Sequence, residues 1–420
     1  MTSATSRRAA IPDSADILVV GAGPAGSAAA AHAAAGGAAT VLLDAAEFPR
    51  DKTCGDGLTP RAVSALRTLG MTEYLDTRPR IRGLALHGWG AVQQVPWPAS
   101  QFGPFGSAVA RTEFDDDLRR FALGRGAHMV SGTKAIDAER DSSGTITAVT
   151  VQRGAQRTRI RVGQVIVADG VKSSLGKQLG RQWHRDTAYG VAGRSYADSQ
   201  LSDAEWMGSH LELRDAQGEL LPGYGWVFPL GDGTVNVGVG ALATAQRPAS
   251  MALRPVLEHY AQMVTDQWQL TSGPTRITSA LLPMGGAVSG VSGRNWMLIG
   301  DAAACVNPLN GEGIDYALET GRMAVDLLAD SRDHTLTWPA LLQREYGGAF
   351  AAARRAAGLL TMPQTVPLLG RPGIRSAALM DVVVRVMGNL LTGEDTDLIA
   401  RAWRSAGSVV SRFETRPPFS

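Results

Sequence analysis

Residues 16–44, DILVVGAGPAGSAAAAHAAAGGAATVLLD, admit very few folds. The apolar run Ile17 to Val20 leads straight into Gly21-Ala22-Gly23-Pro24-Ala25-Gly26 and then into an alanine-rich stretch suited to a helix. A second apolar run, Thr40 to Leu43, ends on Asp44. Strand, tight turn, helix and strand within about thirty residues, with an acid roughly twenty residues beyond the glycines, are the parts of a dinucleotide-binding βαβ unit. Gly21 permits the turn, Gly23 lets the backbone approach a diphosphate, and Gly26 lets helix and strand pack closely. The helix N-terminus offers unpaired N–H groups and a positive dipole end, and Asp44 can accept from a ribose diol. The same window is nearly uncharged and so imitates a membrane span. The glycine turn, His32 and the scarcity of Leu, Ile and Phe argue against one.

A chain of 420 residues can bury a large core, and its size suggests two closely connected domains. Lys plus Arg is 41 against 39 for Asp plus Glu, a net +2 that gives no electrostatic case for nucleic acid. Two cysteines, Cys54 and Cys305, make neither a disulfide framework nor a four-ligand zinc site, which fits a reducing cytoplasm and no metal centre. Nine tryptophans among few aromatics hint at an aromatic-lined site. The start, MTSATSRRAAIPDSAD, has an Arg pair with no apolar stretch of its own behind it. Residues 1–15 therefore read as a short disordered lead rather than an export signal.

Thr59-Pro60 reads as a helix start and Gly70 as its end. The preceding loop, Lys52 to Gly57, has glycines suited to close approach of a ligand. Residues 82–110 alternate short strands and turns, and acidic residues then crowd the first turn of a helix beginning near Arg111. A hairpin is expected at Ser143-Gly144, and a strand over 164–168 ends in Asp169-Gly170. Between 185 and 290, longer strands with turns at 215–218 and 231–233 and a helix near 251–265 read as an inserted antiparallel-sheet domain. The nucleotide domain is thus expected in two parts, 1–184 and 291–330. The second part holds the buried strand WMLIG, which delivers Asp301, then the loop Pro308 to Ile314 and an amphipathic helix. The glycines at 285–293 precede a strand and read as a connector. Residues 331–420 are expected to be helical, with apolar faces including Leu359, Leu360, Val366, Leu368, Leu369, Leu379, Val382, Val383 and Val386. Core packing is the ordinary use of such faces, and a surface resting on a membrane is the sharper one.

GAGPAGS with Asp44, Arg111 ahead of Phe114-Asp115, Asp169-Gly170 and Gly300-Asp301 together resemble the signature set of the para-hydroxybenzoate hydroxylase superfamily of FAD proteins. Cys54-Gly55-Asp56-Gly57 and Tyr224-Gly225-Trp226-Val227-Phe228-Pro229, followed after eight intervening residues by Gly238-Val239-Gly240, resemble the geranylgeranyl reductase family within it. Over FPRDKTCGDGLTPRAV, LPGYGWVFPLG and WMLIGDAAACVNPLNGEGIDYALETGR the chain is similar to the actinobacterial menaquinone reductases of that family. The likeness covers nearly the whole chain.

The resemblance implies a mixed α/β fold: a Rossmann-like FAD-binding domain with an inserted antiparallel-sheet substrate domain and a helical C-terminal region. It implies that Gly21, Gly23, Pro24, Ala25 and Gly26 cradle the FAD diphosphate and that Asp44, with Ala45, holds the adenosine ribose. Arg111 and Asp301 would face the diphosphate and ribityl chain, the amides of Gly313 and Ile314 the flavin ring, and the loop Cys54, Gly55, Asp56, Gly57 its side. Tyr224, Trp226, Phe228 and Pro229 would line the substrate tunnel, and Cys54 is the catalytic candidate, as proton donor or shaper of the site. The implied activity is saturation of an isolated double bond in a polyprenyl chain, such as one isoprene unit of a menaquinone tail, by hydride plus a proton. The alternatives are a geranylgeranyl lipid or diphosphate reductase, or a flavin monooxygenase of the same fold. A second nucleotide motif is absent, so the reductant is left open between NAD(P)H and a redox partner. An apolar substrate of this kind implies a cytoplasmic protein held peripherally at the membrane surface.

Overall fold

The computed structural model describes residues 9–249, 251–362 and 365–420. Residues 1–8 of the expected lead lie outside these, while Ser14 and Ala15 already belong to the first strand.

Two sheets organise the chain. The first holds five parallel strands in the spatial order Trp296–Leu298, Gln156–Val167, Ser14–Val20, Thr40–Leu43, His128–Val130. Register is set at its centre, where Val19 lies between Leu42 and Ile166. The middle strands are buried on both faces, as is usual for a parallel sheet, and the helix Pro24–Ala35 packs on one of them. The hairpin Lys134–Arg140 and Ile146–Arg153, turning at 141–145, extends antiparallel from Gln156–Val167.

The helix Pro24–Ala35 is nearly all buried, and its alanines are what permit this. It packs against Ile314–Asp330 so closely that a methyl on Gly321 would stand 2.7 Å from the Ala25 carbonyl oxygen. Larger side chains on either helix would force them apart and open the glycine turn between the first strand and its helix. At that turn Gly21 has φ +104°, and a methyl on Gly26 would meet the Gly21 oxygen at 1.8 Å.

The second sheet has seven strands in the order Thr275–Pro283, Tyr189–Asp198, Thr234–Ala243, Gly223–Pro229, Trp206–His210, Gly83–Gly88, Ala91–Pro96. Two of these come from before residue 185, so the expected insert supplies five of the seven. Where the segments meet, Trp206–His210 runs parallel to Gly83–Gly88. This pair departs from the expected antiparallel pattern, and the long stretch of chain between residues 88 and 206 provides the crossover that a parallel pair needs. The helix Leu253–Met263 covers the outer face through Val256, Leu257 and Tyr260. The C-terminal region is helical, with Gly348–Leu360 against Leu398–Phe413 and Ala377–Met387 against Ala91–Pro96. Among the described residues no helix is long and apolar enough to cross a membrane.

Candidate functional site

One cavity of about 1310 Å³ runs between the sheets, from the glycine turn to the C-terminal helices. That exceeds the ~300–1,000 Å³ of ordinary small-ligand clefts. Its first end is built by two helix N-termini. Pro24–Ala35 and Ile314–Asp330 both begin after a glycine, Gly23 and Gly313, and among the described residues neither has a side-chain cap. Their free N–H groups and positive dipole ends thus open on one space.

Gly23 leaves the backbone bare where it faces cations: a methyl there would lie 3.4 Å from Arg50 Nη2 and 4.0 Å from Arg111 Nη2. Arg111 is clamped by Asp115 through bonds of 2.6 and 2.8 Å, and Arg50 reaches the same carboxylate at 3.0 Å. Asp44 accepts from the Ala22 and Ala46 amides, both at 2.8 Å, which fixes it at the strand end beside the turn. Asp301 pairs with Lys52 at 3.3 Å. Asp169 accepts from the Ser173 hydroxyl and the Leu175 amide, so in this structure it caps the following turn while bordering the cavity. Two open helix ends, a bare glycine and two guanidinium groups suit a diphosphate, and Asp44 suits the ribose beyond it. The residues present fit FAD.

The middle of the cavity is a single packed wall. Tyr224, Trp226 and Phe228 share one face of their strand because side chains alternate with a period of two. Register places Tyr224 opposite Gly240, Trp226 opposite Gly238 and Phe228 opposite Asn236. The loop Cys54–Gly57 lies against this face: a methyl on Gly55 would come within 3.2 Å of Phe228 Cε2, and one on Gly57 within 3.1 Å of the same ring. Asn236 ties the loop down. It donates to the Cys54 carbonyl oxygen at 2.9 Å and to Asp56 Oδ2 at 2.8 Å, and accepts from Trp226 Nε1 at 2.8 Å.

Asp56, at φ +65°, also accepts from the Tyr196 hydroxyl at 2.7 Å and the Arg111 amide at 3.3 Å. Both its carboxylate oxygens are therefore held by protein donors. Burial pushes its pKa up to about 6, against the opposing pull of Tyr196, Asn236, Arg194 and Arg111. The Cys54 thiol borders the cavity and accepts from the Asp56 amide at 3.3 Å. Burial raises its pKa, although Arg111 opposes this, so the thiol is protonated at neutral pH. Cys305 is buried in the core.

The far end is apolar. Leu359, Leu360, Val366, Leu369, Leu379, Val382, Val383 and Val386 line it, and Leu359, Leu369 and Leu379 are also exposed, with Leu368 beside them. The amphipathic faces of the C-terminal helices thus serve largely as cavity wall and rim.

Of the residues anticipated from sequence, Gly21, Gly23, Pro24, Ala25, Asp44, Ala45, the loop 54–57, Arg111, Tyr224, Trp226, Phe228, Asp301, Gly313 and Ile314 all border the one cavity. Gly26 and Pro229 are not among its lining residues. Gly26 packs under the glycine turn, and Pro229 is buried at the end of its strand, opposite Val235. Arg50, Asn236, Thr59 and Glu312 were missed as site residues. FPR beside CGDG offered a signal for Arg50, and Asn236 is two positions before the GVG segment.

The family model described as FAD binding domain matches residues 14–331. The chain is 57% identical over 408 residues to the menaquinone reductase of Mycolicibacterium smegmatis, covering 97% of this chain and 99% of that protein. It is 30% identical to digeranylgeranylglycerophospholipid reductase 1 of Methanopyrus kandleri, over 82% of this chain and 90% of that one. In fold it is similar to a geranylgeranyl bacteriochlorophyll reductase-like protein of Thermoplasma acidophilum, with a TM-score of 0.72 at 20% identity over 96% of this chain and 98% of that one. With two open helix ends and paired arginines at one end of its cavity, and these relatives along nearly its full length, the chain is an FAD-dependent oxidoreductase and belongs to the geranylgeranyl reductase family.

Proposed function

We propose that this protein saturates one isolated double bond in the prenyl tail of menaquinone. The observation that carries the reading is the continuity of the cavity: one space joins the FAD-binding turn, the aromatic wall and an apolar rim of leucines and valines. A polar metabolite would gain nothing from that rim, whereas a prenyl chain buries its length there. The relatives named menaquinone reductase support the choice of quinone.

Bound FAD supplies a hydride and its two electrons; the chain supplies everything else. Gly21 to Ala25, Arg50, Arg111 and Asp44 hold the diphosphate and ribose, and Asp301, Gly313 and Ile314 the part beyond. Tyr224, Trp226 and Phe228 exclude water and present π faces to the positive charge that builds on a tertiary carbon. Cys54, with its neutral thiol, shapes the wall beside the reacting carbons. Exposed Leu359, Leu368, Leu369 and Leu379 at the rim rest on the membrane and admit the tail, which makes the protein a peripheral one on the cytoplasmic face. The electron donor is NAD(P)H docking transiently or a redox partner.

The test is chemical. The flavin-loaded protein is reduced anaerobically with dithionite and given a polyprenyl menaquinone, and the lipid is weighed by mass spectrometry after the ring is reoxidised. A persistent gain of two hydrogens places the reaction on the tail. An unchanged tail, with turnover on geranylgeranyl groups or with oxygen uptake into a product, would overturn the reading.

A further inference from the structure

Glu312 stands in the turn before the helix Ile314–Asp330 and shares the cavity wall with Thr59. Its Oε1 meets the Thr59 hydroxyl at 2.6 Å. Its Oε2 is shut off from solvent and has no hydrogen-bond partner within the standard geometric limits among the described residues. An ionised carboxylate with one oxygen buried and bare is costly, whereas a carboxylic acid carries no charge to solvate.

The groups packed around it do little to favour the anion. Arg61, the cation in the first turn of Pro60–Leu69, is engaged by Glu319 at 2.6 and 2.8 Å. Asp315 brings a second acid from the helix, its oxygens held by the Tyr316 amide and the Asn389 side chain, each at 2.7 Å. On the sheet side, Tyr224 directs its hydroxyl to the Asn310 carbonyl oxygen at 2.7 Å. Burial, with Asp315 adding to it, raises the Glu312 pKa well above the usual carboxylate range, and Thr59, Arg61 and the Asn310 side chain oppose this only in part.

Saturating an alkene consumes a proton as well as a hydride, and the proton must come from the protein side of a dry cavity. We propose that Glu312 is the acid that delivers this proton to the prenyl double bond, across the Thr59 hydroxyl at the cavity wall. The inference rests on the prenyl-reductase reading given above. The π electrons of the alkene form the new C–H bond as the O–H bond gives up its proton to the relay. Reduced FAD, held by the glycine turn and Arg111, would supply the hydride, with both electrons, that the electron-poor tertiary carbon needs. The Glu312 carboxylate regains a proton from water once the site reopens. Thr59 passes the proton without changing its own state, since a hydroxyl both donates and accepts.

The first measurement needs no substrate. Infrared difference spectra of the flavin-loaded wild type against Glu312→Gln at pH 7 should show a carboxylic-acid carbonyl stretch present only in the wild type, shifting in heavy water. A missing band overturns the proposal, since an ionised Glu312 has no proton to give. The second is single-turnover tail reduction by dithionite-reduced protein. Glu312→Gln should slow it by about 100-fold or more, as loss of a general acid does, and Glu312→Asp should recover part of the rate. Wild-type turnover in Glu312→Gln overturns the proposal even with the band present. Because Glu312→Asp retains an acid, it keeps the test open if the Gln variant folds poorly. A wild type that shows the band but leaves the tail unchanged overturns the reductase reading, and with it the role assigned to this proton.

Discussion

Trp226 lies across Gly238 on the neighbouring strand, so close that a methyl on that glycine would stand 2.1 Å from Trp226 Cζ2 and 2.8 Å from the Gly193 carbonyl oxygen. The glycine is thus the floor on which the aromatic wall rests. Two positions on, a methyl on Gly240 would meet the Trp226 ring at an ordinary 3.4 Å. Gly238→Ala should therefore destabilise the protein by about 1–3 kcal/mol, the usual cost of overpacking, and displace Trp226. Gly240→Ala should cost under about 1 kcal/mol on the same scale. Urea unfolding of the two variants checks this, and equal losses would refute the assigned contact.

Asp56 makes stability depend on pH in a direction that can be worked out. Its pKa rises from an ordinary 3.8 to about 6 on folding. Between those values the folded state binds more protons than the unfolded one, so raising the pH through this window removes stability. The full difference corresponds to about 3 kcal/mol. Asp56→Asn imitates the protonated acid and cannot titrate. Relative to the wild type it should gain up to about 3 kcal/mol between pH 4 and pH 7. Asp315, also raised to about 6 by burial, is present in both proteins and cancels from the comparison. A difference in unfolding free energy that stays constant over this range would show that Asp56 is ionised throughout.

Arg50 stands between Asp44 and Asp115, 3.7 and 3.0 Å from their oxygens, and lies beside the bare Gly23. Arg111 on the same carboxylate is buried, whereas Arg50 is partly open to the cavity. Arg50 is thus the cation more free to turn toward a diphosphate. Arg50→Ala should weaken flavin binding by about ten- to a hundred-fold, as loss of a charged hydrogen bond does. Flavin retained after dialysis, followed by its visible absorbance, measures this. Wild-type retention would leave the diphosphate to Arg111 and the helix ends alone.

What the sequence made legible is what local geometry dictates. The glycine turn, the acid at the end of the second strand, the helix from Pro60 to Leu69 and the shared face of Tyr224, Trp226 and Phe228 each follow from residues near one another in the chain. The parts it hid depend on distant pairing. The strands at 83–96 join the second sheet only through a parallel partner at 206–210, and no local pattern announces such a crossover. Asn236 reads as an ordinary strand residue until the fold brings the Cys54 carbonyl to it. The C-terminal helices show why periodicity has limits: spacing identifies the apolar face but not whether it meets a core, a cavity or a lipid.

That last distinction can be measured at Leu368. The residue is 73% exposed in the helix Thr365–Gly373, next to cavity-lining Leu369, and is not itself part of the lining. A leucine left in water at a cavity rim is explained if the rim rests on a bilayer, where burial of one such side chain is worth about 1.5–3 kcal/mol. Leu368→Glu replaces that gain with the cost of placing a charge against the acyl boundary. It should lower binding to phosphatidylglycerol-containing vesicles by at least about ten-fold, a change of ~1.4 kcal/mol. Flavin absorbance should stay at the wild-type level, since the residue is remote from the glycine turn. Cosedimentation over a range of lipid concentrations gives the comparison. Unchanged partitioning would remove this helix from the membrane contact and leave the exposed leucines at 359 and 379 as the remaining part of the rim to test.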